Sequence, residues 1–192
     1  MEQPSLYRRV LCERYPQLHP LLQEFHDRPE GKAEGVFRIV RPPQLFKRLL
    51  GALLGMPAAA ENVPTTLTVE VLGNGEEKWV RSFGKFQMAT RQWSWRDLLL
   101  ERSGSVTFGI HLDVADQGML FITRRVWLLG IPLPLILAPR VFALVLPIDG
   151  GWQAKVRLDF PLAGEMFRYE GEIFPHDNRP ALACCPGTAR SV

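Results

Sequence analysis

The sequence predicts an α+β, mostly β fold in which a long antiparallel meander curls into a closed or half-closed β-barrel behind N-terminal helices. Two observations support this fold class. Apolar residues recur at helical spacing in the first quarter of the chain, and from Thr65 onward they alternate with polar residues. The alternating segments are joined by short turns with no helix between them, which argues against parallel α/β folds.

Helices are predicted first along the chain. The segments LYRRVLCERY and LHPLLQEFHDR both carry apolar residues at helical spacing. Pro16 separates them, and Pro20 suits the first turn of the second helix. A strand, GVFRIVR, is expected to follow.

A third helix, PQLFKRLLGALLG, is predicted to begin at Pro42 and Pro43. Its leucines and phenylalanine form a wide apolar face, and Gly55 and Pro57 end it. Such a face requires a large covering surface, so we expect this helix to pack over or into one end of the barrel.

The β region is predicted to contain about nine or ten strands. The Gly-Asn-Gly turn at 73–75 is typical of a tight hairpin, and the segment from Val106 to Val114 shows the cleanest alternation. A meander of this length must curl to protect its edges, which predicts a barrel of the calycin or lipocalin type. The expected strands from Thr65 onward are TLTVEV, KWVRSFG, KFQMATRQW, DLLLERSG, VTFGIHLDV, GMLFITRRVWLL, VFALVLPI, WQAKVRLDF and EMFRYEGEIF.

The most apolar segment, 126–148, does not suit a membrane-spanning helix, because its unbroken apolar part, 126–139, is too short and four prolines interrupt the segment. It is predicted to be a strand from Val126, an irregular turn over about 130–139 and a returning strand from Val141. The turn either folds over the core as a plug, which we favour, or is displayed as an apolar lip. A displayed lip would suggest a portal for a lipid-like ligand or a peripheral contact with a membrane or a partner protein.

The composition is that of one globular domain, expected over 1–175, with a helical part over 1–60 and antiparallel strands over 65–175. The tail, 176–192, lacks periodicity and is expected to be mobile. The formal charge of +3 is too balanced to predict nucleic-acid binding. The first residues resemble neither a secretory signal nor a transit peptide, and the three cysteines show no paired spacing, so we expect free thiols and a cytoplasmic location.

Chemical motifs are scarce in this sequence. His19 and His26 are interpreted as surface or capping residues. His111 and Asp113 are interpreted as polar residues on the solvent-facing side of a strand or, alternatively, as a general base and the carboxylate that orients it. Motifs for a nucleophile, a phosphate loop or a metal site are not found, so no cofactor, no metal and no catalytic residue are predicted.

Charged residues embedded in apolar strands are more informative. Glu101 ends an apolar run, and Arg124 and Arg125 interrupt another, so one of these two arginines is expected to point inward. A buried arginine requires a carboxylate partner such as Glu101, either as a structural ion pair or as a polar contact for an acidic headgroup, with Trp79, Trp93 and Trp127 lining the cavity. The candidate ligand-binding residues are Trp79, Arg81, Phe83, Glu101, Arg125 and Trp127.

The ordered segments GMPAAAENVP, WVRSFG, LLLERSGSVTFGIHL, RRVWLLGIPLPLILAPR and FPLAGEMFRYEG resemble the bacterial domain of unknown function 4166 family. The resemblance covers about 35–173 and implies relatives that occur alone or fused to saccharopine-dehydrogenase-like or membrane segments, without an established activity. The chain departs from the family pattern at Ala60, Val145 and Glu172, where a glycine, a glutamate and a tryptophan are usual. The matching positions are Trp79, Arg81, Phe83, Glu101, Arg102, Gly104, Gly130, Pro132, Pro134, Pro139, Arg140, Gly164, Tyr169 and Gly171.

Three functions remain open at this stage. The first, which we favour, is a non-enzymatic barrel that holds a hydrophobic or amphipathic small molecule. The second is an enzyme, or an accessory domain of an oxidoreductase-like fusion, that acts through carboxylate and histidine groups such as Glu101 and His111. The third is a structural or protein-interaction module that uses the 130–139 turn.

Overall fold

The computed structural model describes residues 4–42, 44, 57–161 and 163–176 of the 192-residue chain. Two short helices, α1 (Leu6–Leu11) and α2 (Pro20–Asp27), flank a 3₁₀ helix (Cys12–Gln17). The predicted third helix and the C-terminal tail after residue 176 lie outside the described residues.

Eleven strands follow the helices in the described part of the chain. They are β1 (Glu30–Val40), β2 (Ala60–Val71), β3 (Glu77–Phe83), β4 (Phe86–Trp95), β5 (Leu98–Ser103), β6 (Val106–Ala115), β7 (Gly118–Leu128), β8 (Ile131–Pro132), β9 (Arg140–Ile148), β10 (Gly151–Phe160) and β11 (Gly164–Pro175).

The strands form a closed antiparallel barrel. Their order is β6-β5-β4-β3-β2-β1-β11-β10-β9-β7, and pairing of β6 with β7 closes the ring. The two-residue β8 pairs with the end of β7 and stands outside the ring of ten. This architecture confirms the predicted mostly β barrel, including the strand before the third helix.

The N-terminal helices cover one end of the barrel, here called the helix end. The backbone N–H of His19 donates to the carbonyl of Gln117, in the β6–β7 turn, at 2.8 Å. Arg9 Nη2 donates to the carbonyl of Gly75, in the β2–β3 turn, at 2.7 Å. The side chain of Tyr7 is buried beneath the helices, so the N-terminal segment is an integral part of the core rather than an appendage.

The proline-rich turn lies at the opposite end, here called the lip end, because β7 runs away from Gln117 toward Leu128. Its apolar side chains are exposed: Leu129 by 76%, Ile131 by 66% and Ile136 by 64%. The expectation of a plug folded over the core is therefore wrong. Residues 128–137 form an apolar lip, since β8 pairs with β7 and directs the turn outward along the wall.

Two glycines allow β1 and β11 to approach each other closely. A Cβ built on Gly171 would lie 2.2 Å from the carbonyl oxygen of Val36, and one built on Gly35 would lie 2.0 Å from that of Glu172. Both contacts are with backbone of the neighbouring strand, which cannot yield without disturbing the ladder.

We therefore expect Gly171→Ala to lower the free energy of unfolding by about 2 kcal/mol, the cost typical of overpacking a closely packed site. The measurement is urea denaturation. Gly73→Ala is the matched control, since a Cβ at Gly73 meets nothing within 4 Å. Equal midpoints for the two variants would contradict the close approach of β1 and β11.

Candidate functional site

The barrel encloses a cavity of about 750 Å³ that extends from the N-terminal helices to the turns of the lip end. Inward-facing residues in the middle of β9 and β10 are small, whereas those of β1 to β3 are large. The small members are Val141, Ala143, Val145, Ala154 and Val156, and the large members include Phe37, Leu67, Trp79 and Phe83. A ring of ten strands is wider than side chains of this size can fill, so a space remains beside β9 and β10.

One polar cluster interrupts the apolar wall. Arg81 of β3 donates from Nη1 to Glu101 Oε1 of β5 at 3.0 Å and to Thr90 Oγ1 of β4 at 3.1 Å. The Thr90 hydroxyl donates to the same Glu101 oxygen at 2.8 Å. Three consecutive strands thus hold an ion pair inside the barrel, and both charged side chains retain 17% exposure.

Aromatic rings surround this ion pair. The Arg81 guanidinium carbon lies 5.0 Å from the centre of the Trp79 ring, and Tyr169 of β11 borders the same space. Burial raises the pKa of Tyr169, so its hydroxyl keeps its proton. Although burial opposes the charged form of Arg81, the Glu101 carboxylate holds the pKa of Arg81 above its ordinary value.

Four of the six candidate residues from the sequence, Trp79, Arg81, Phe83 and Glu101, line the cavity. Tyr169 was not among the candidates. Its alternation with Phe167 along β11 places both on the inner face, and applying the period of two to that strand would have identified it.

The other two candidates, Arg125 and Trp127, lie on the outer face of the barrel. A β-bulge at Arg124 shifts the register of β7, so Arg125 pairs with Gly109 and faces outward. Arg124 and Arg125 are both exposed, and the expectation that one of them points inward is wrong. The extra residue of the bulge changes which side chains face the core.

The outer tryptophans form a separate group. Trp127 packs edge-on against Trp95, with ring centres 5.9 Å apart, and the Arg125 guanidinium lies 5.7 Å from the Trp95 ring centre. Trp93 pairs with Leu100 on this same outer face. The expected role of Trp93 and Trp127 in lining the cavity is therefore wrong.

The cavity floor at the helix end contains several buried polar groups. The Tyr7 hydroxyl donates to Gln92 Oε1 at 2.9 Å, and Trp79 Nε1 donates to Glu77 Oε2 at 2.8 Å. Burial raises the pKa of Glu77 to about 7. His26 stacks on Tyr7 with ring centres 3.7 Å apart, and burial lowers the pKa of His26 to about 3. The floor is therefore largely uncharged.

The two N-terminal histidines differ in role. His19 caps α2, because its Nδ1 accepts from the backbone N–H of Leu21 at 3.3 Å, as expected for a capping residue. His26 is buried, and its Nδ1 has no hydrogen-bond partner among the residues that the structure describes. Its interpretation as a surface histidine is wrong, because α2 packs against the barrel through the face that carries it.

His111 and Asp113 lie on the outer face of β6, whose inner face carries Ile110 and Leu112. Asp113 accepts from Arg14 Nη1 at 2.7 Å and thereby ties the N-terminal segment to the wall. Glu101 faces the interior, so His111 and Glu101 lie on opposite sides of the barrel wall. They cannot share a substrate.

Two features of the described residues bear on metal binding and on membrane insertion. No group of three or more His, Cys, Asp or Glu side chains in the described ranges could hold a metal ion. Within those same ranges, no helix has the length and apolar character needed to cross a bilayer.

Comparison with known proteins gives one match. A family model described as a domain of unknown function (DUF4166) matches residues 18–173, from just before α2 to the end region of β11. No curated protein and no solved structure matches the chain. The description of the family assigns no chemistry to the cavity.

The raised pKa of Glu77 predicts a pH-dependent stability. The folded state retains the Glu77 proton up to about pH 7, whereas the unfolded chain releases it above the ordinary value of 4.5. The free energy of unfolding therefore falls as the pH rises between these two values, and Glu77→Gln removes this loss while keeping an acceptor for Trp79. Relative to wild type, the variant should gain on the order of 2 kcal/mol between pH 5 and pH 8.

Thermal and urea denaturation at the two pH values measure this gain. Glu13→Gln is the control, because it removes a carboxylate from an exposed position. A gain of equal size at both pH values would contradict a raised pKa at Glu77.

Proposed function

The chain belongs to the domain of unknown function (DUF4166) family, and we propose that it is a non-enzymatic binding domain that holds a hydrophobic or amphipathic small molecule inside its β-barrel. The observation that carries this proposal is the interior itself. A cavity of about 750 Å³ combines an extended apolar wall with the polar cluster of Arg81, Thr90 and Glu101. This combination is typical of small-molecule sites, in which apolar contacts give affinity and a few polar groups fix orientation.

The arrangement of the wall supports one orientation of the ligand. Its apolar part would lie along β9 and β10, where Ala143, Val145 and Ala154 leave space. Its polar part would contact Arg81 and Glu101 on the opposite side. Each buried methylene group would contribute about 0.8 kcal/mol to binding, so a medium-length chain would bind without a strong polar anchor.

The alternative of an enzyme has less support. The two residues that the sequence offered for it as examples, Glu101 and His111, lie on opposite faces of the wall. An accessory role beside a fused oxidoreductase needs no catalytic residue in this domain and is compatible with ligand binding. The cytoplasmic location inferred from the sequence stays a prediction.

The apolar lip supports a second function, contact with an anionic membrane surface. Leu129, Ile131 and Ile136 are exposed on the lip. Exposed arginines lie nearby on the outer wall, and Arg91 and Arg102 stand directly opposite each other on β4 and β5.

Like charges in a directly opposed pair destabilise a sheet unless an anion compensates them. In the described part of the chain, no ion pair involves Arg91, Arg102, Arg124 or Arg125. Exposed apolar side chains beside uncompensated cations are complementary to an anionic lipid interface, which favours a membrane over a partner protein.

Filling the cavity tests the first function. Ala143→Phe on the inner face of β9 should place a ring in the space beside the small residues, where the apolar part of the ligand would lie, and displace the ligand. Native mass spectrometry of protein purified from cells should show a bound mass on wild type that is absent from this variant. Leu144→Phe, on the outer face of the same strand, should keep it. A wild-type barrel that carries no ligand and binds no amphiphile would overturn the proposal.

Sedimentation with vesicles tests the second function. Wild type should bind vesicles of phosphatidylcholine mixed with phosphatidylglycerol, and binding should weaken at high salt because surface charges are screened. The double substitution Ile136→Asp with Leu137→Asp should reduce the binding constant for the vesicles about tenfold, which corresponds to about 1.4 kcal/mol. Val36→Asp, at an apolar residue exposed by 51% on β1, should leave binding unchanged. Equal binding by the lip variant and this control would refute a lip contact.

A further inference from the structure

The ion pair in the cavity restricts the chemistry of the ligand's polar group. Arg81 and Glu101 neutralise each other at 3.0 Å. Of the described residues that line the cavity, Arg81 alone carries a permanent positive charge. His26 also lines it but stays neutral, because burial lowers its pKa to about 3. The cavity therefore has no spare cation for an anionic headgroup.

An anionic headgroup would leave the site with an uncompensated negative charge. Its approach to Arg81 would also bring it close to the Glu101 carboxylate, 3.0 Å from the guanidinium. An unpaired charge in an apolar, partly dehydrated space is costly, whereas a neutral dipole loses much less hydration. A cationic headgroup would also add an unpaired charge, because the Glu101 carboxylate is already neutralised by Arg81.

The unused atoms of the cluster show which hydrogen bonds a ligand would make. In the described chain, Nη1 is the one guanidinium nitrogen of Arg81 that donates to a side chain, and Glu101 accepts through Oε1. Arg81, Glu101 and Tyr169 all line the cavity, and in the described chain no side chain is bonded to Arg81 Nε or Nη2, Glu101 Oε2 or the Tyr169 hydroxyl. Two kinds of donor and one carboxylate acceptor therefore face the same space.

We infer that the polar group of the ligand is uncharged and combines a hydrogen-bond acceptor with a donor, as a primary amide or a hydroxy-carbonyl group does, on an apolar chain or ring system. The carbonyl oxygen accepts from Arg81 or Tyr169, and the N–H or O–H donates to Glu101. This inference rests on the proposed function and specifies the class of ligand for the same cavity.

The test compares headgroups on twelve-carbon chains by isothermal titration calorimetry at pH 8. The probes are dodecanamide, methyl dodecanoate, dodecanoate and dodecylammonium. Dodecanamide should bind about tenfold or more tightly than dodecanoate and dodecylammonium, a difference of about 1.4 kcal/mol or more. Methyl dodecanoate, which accepts but cannot donate, should fall between the amide and the charged probes.

Glu101→Gln supplies a reciprocal test. The substitution removes the negative partner and leaves Arg81 with an uncompensated charge in the cavity. The affinity of the Glu101→Gln variant for dodecanoate, relative to its affinity for dodecanamide, should be at least about tenfold higher than in wild type. Glu13→Gln removes the same formal charge from an exposed position and should keep the wild-type order of affinities.

The outcomes separate this inference from the proposed function. Tighter binding of dodecanoate or dodecylammonium than of dodecanamide by wild type would overturn the uncharged headgroup while retaining a lipid-binding barrel. Equal affinities for dodecanamide and methyl dodecanoate would overturn the requirement for a donor. Failure of all four probes to bind would overturn the proposed function itself. The wild-type series decides the question even where Glu101→Gln does not fold.

Discussion

Pairing of β6 with β7 is the constraint on which the rest of the structure depends. The hydrogen bonds of that ladder join the first and last members of a ten-stranded antiparallel sheet into a ring. Closure satisfies the backbone groups of both edges and fixes the circumference. Once the circumference is fixed, the size of the inward side chains alone decides whether the interior is solid or hollow. Alanine and valine on β9 and β10 leave it hollow.

Closure also determines where the polar groups of the interior lie. Because side chains alternate along a strand, Trp79, Arg81 and Phe83 all face inward once one of them does. Glu101 reaches Arg81 across the intervening strand, β4, which contributes the Thr90 hydroxyl between them. The ion pair thus spans three strands and opposes any shift in their register. This structural role is compatible with the proposed ligand contact, because the ion pair uses only Nη1 of Arg81 and Oε1 of Glu101.

Much of the fold and part of the site could be predicted from the sequence, because both depend on local periodicity. Apolar patterning and turn residues together predicted every strand of the ring, and charges embedded in apolar strands pointed to Arg81 and Glu101 as interior residues. Prediction failed where one residue or one packing contact altered that period. The bulge at Arg124 has no recognisable local signal, yet it turns Arg125 and Trp127 outward. His26 is buried because α2 docks on the barrel, a tertiary contact that helical spacing alone does not reveal.

The two ends of the barrel differ in a way that connects the cavity with the lip. At the helix end, Tyr7 of α1 and His26 of α2 stack on each other and form a closely packed floor. Toward the lip end, Leu128 and Pro139 border both the cavity and the apolar lip. A ligand that moves between the interior and a bilayer at this end would stay in contact with apolar side chains. An uncharged headgroup would make that transfer easier still, since it carries no charge that must be dehydrated. The neutral ion pair and the exposed lip are therefore consistent with one and the same class of ligand.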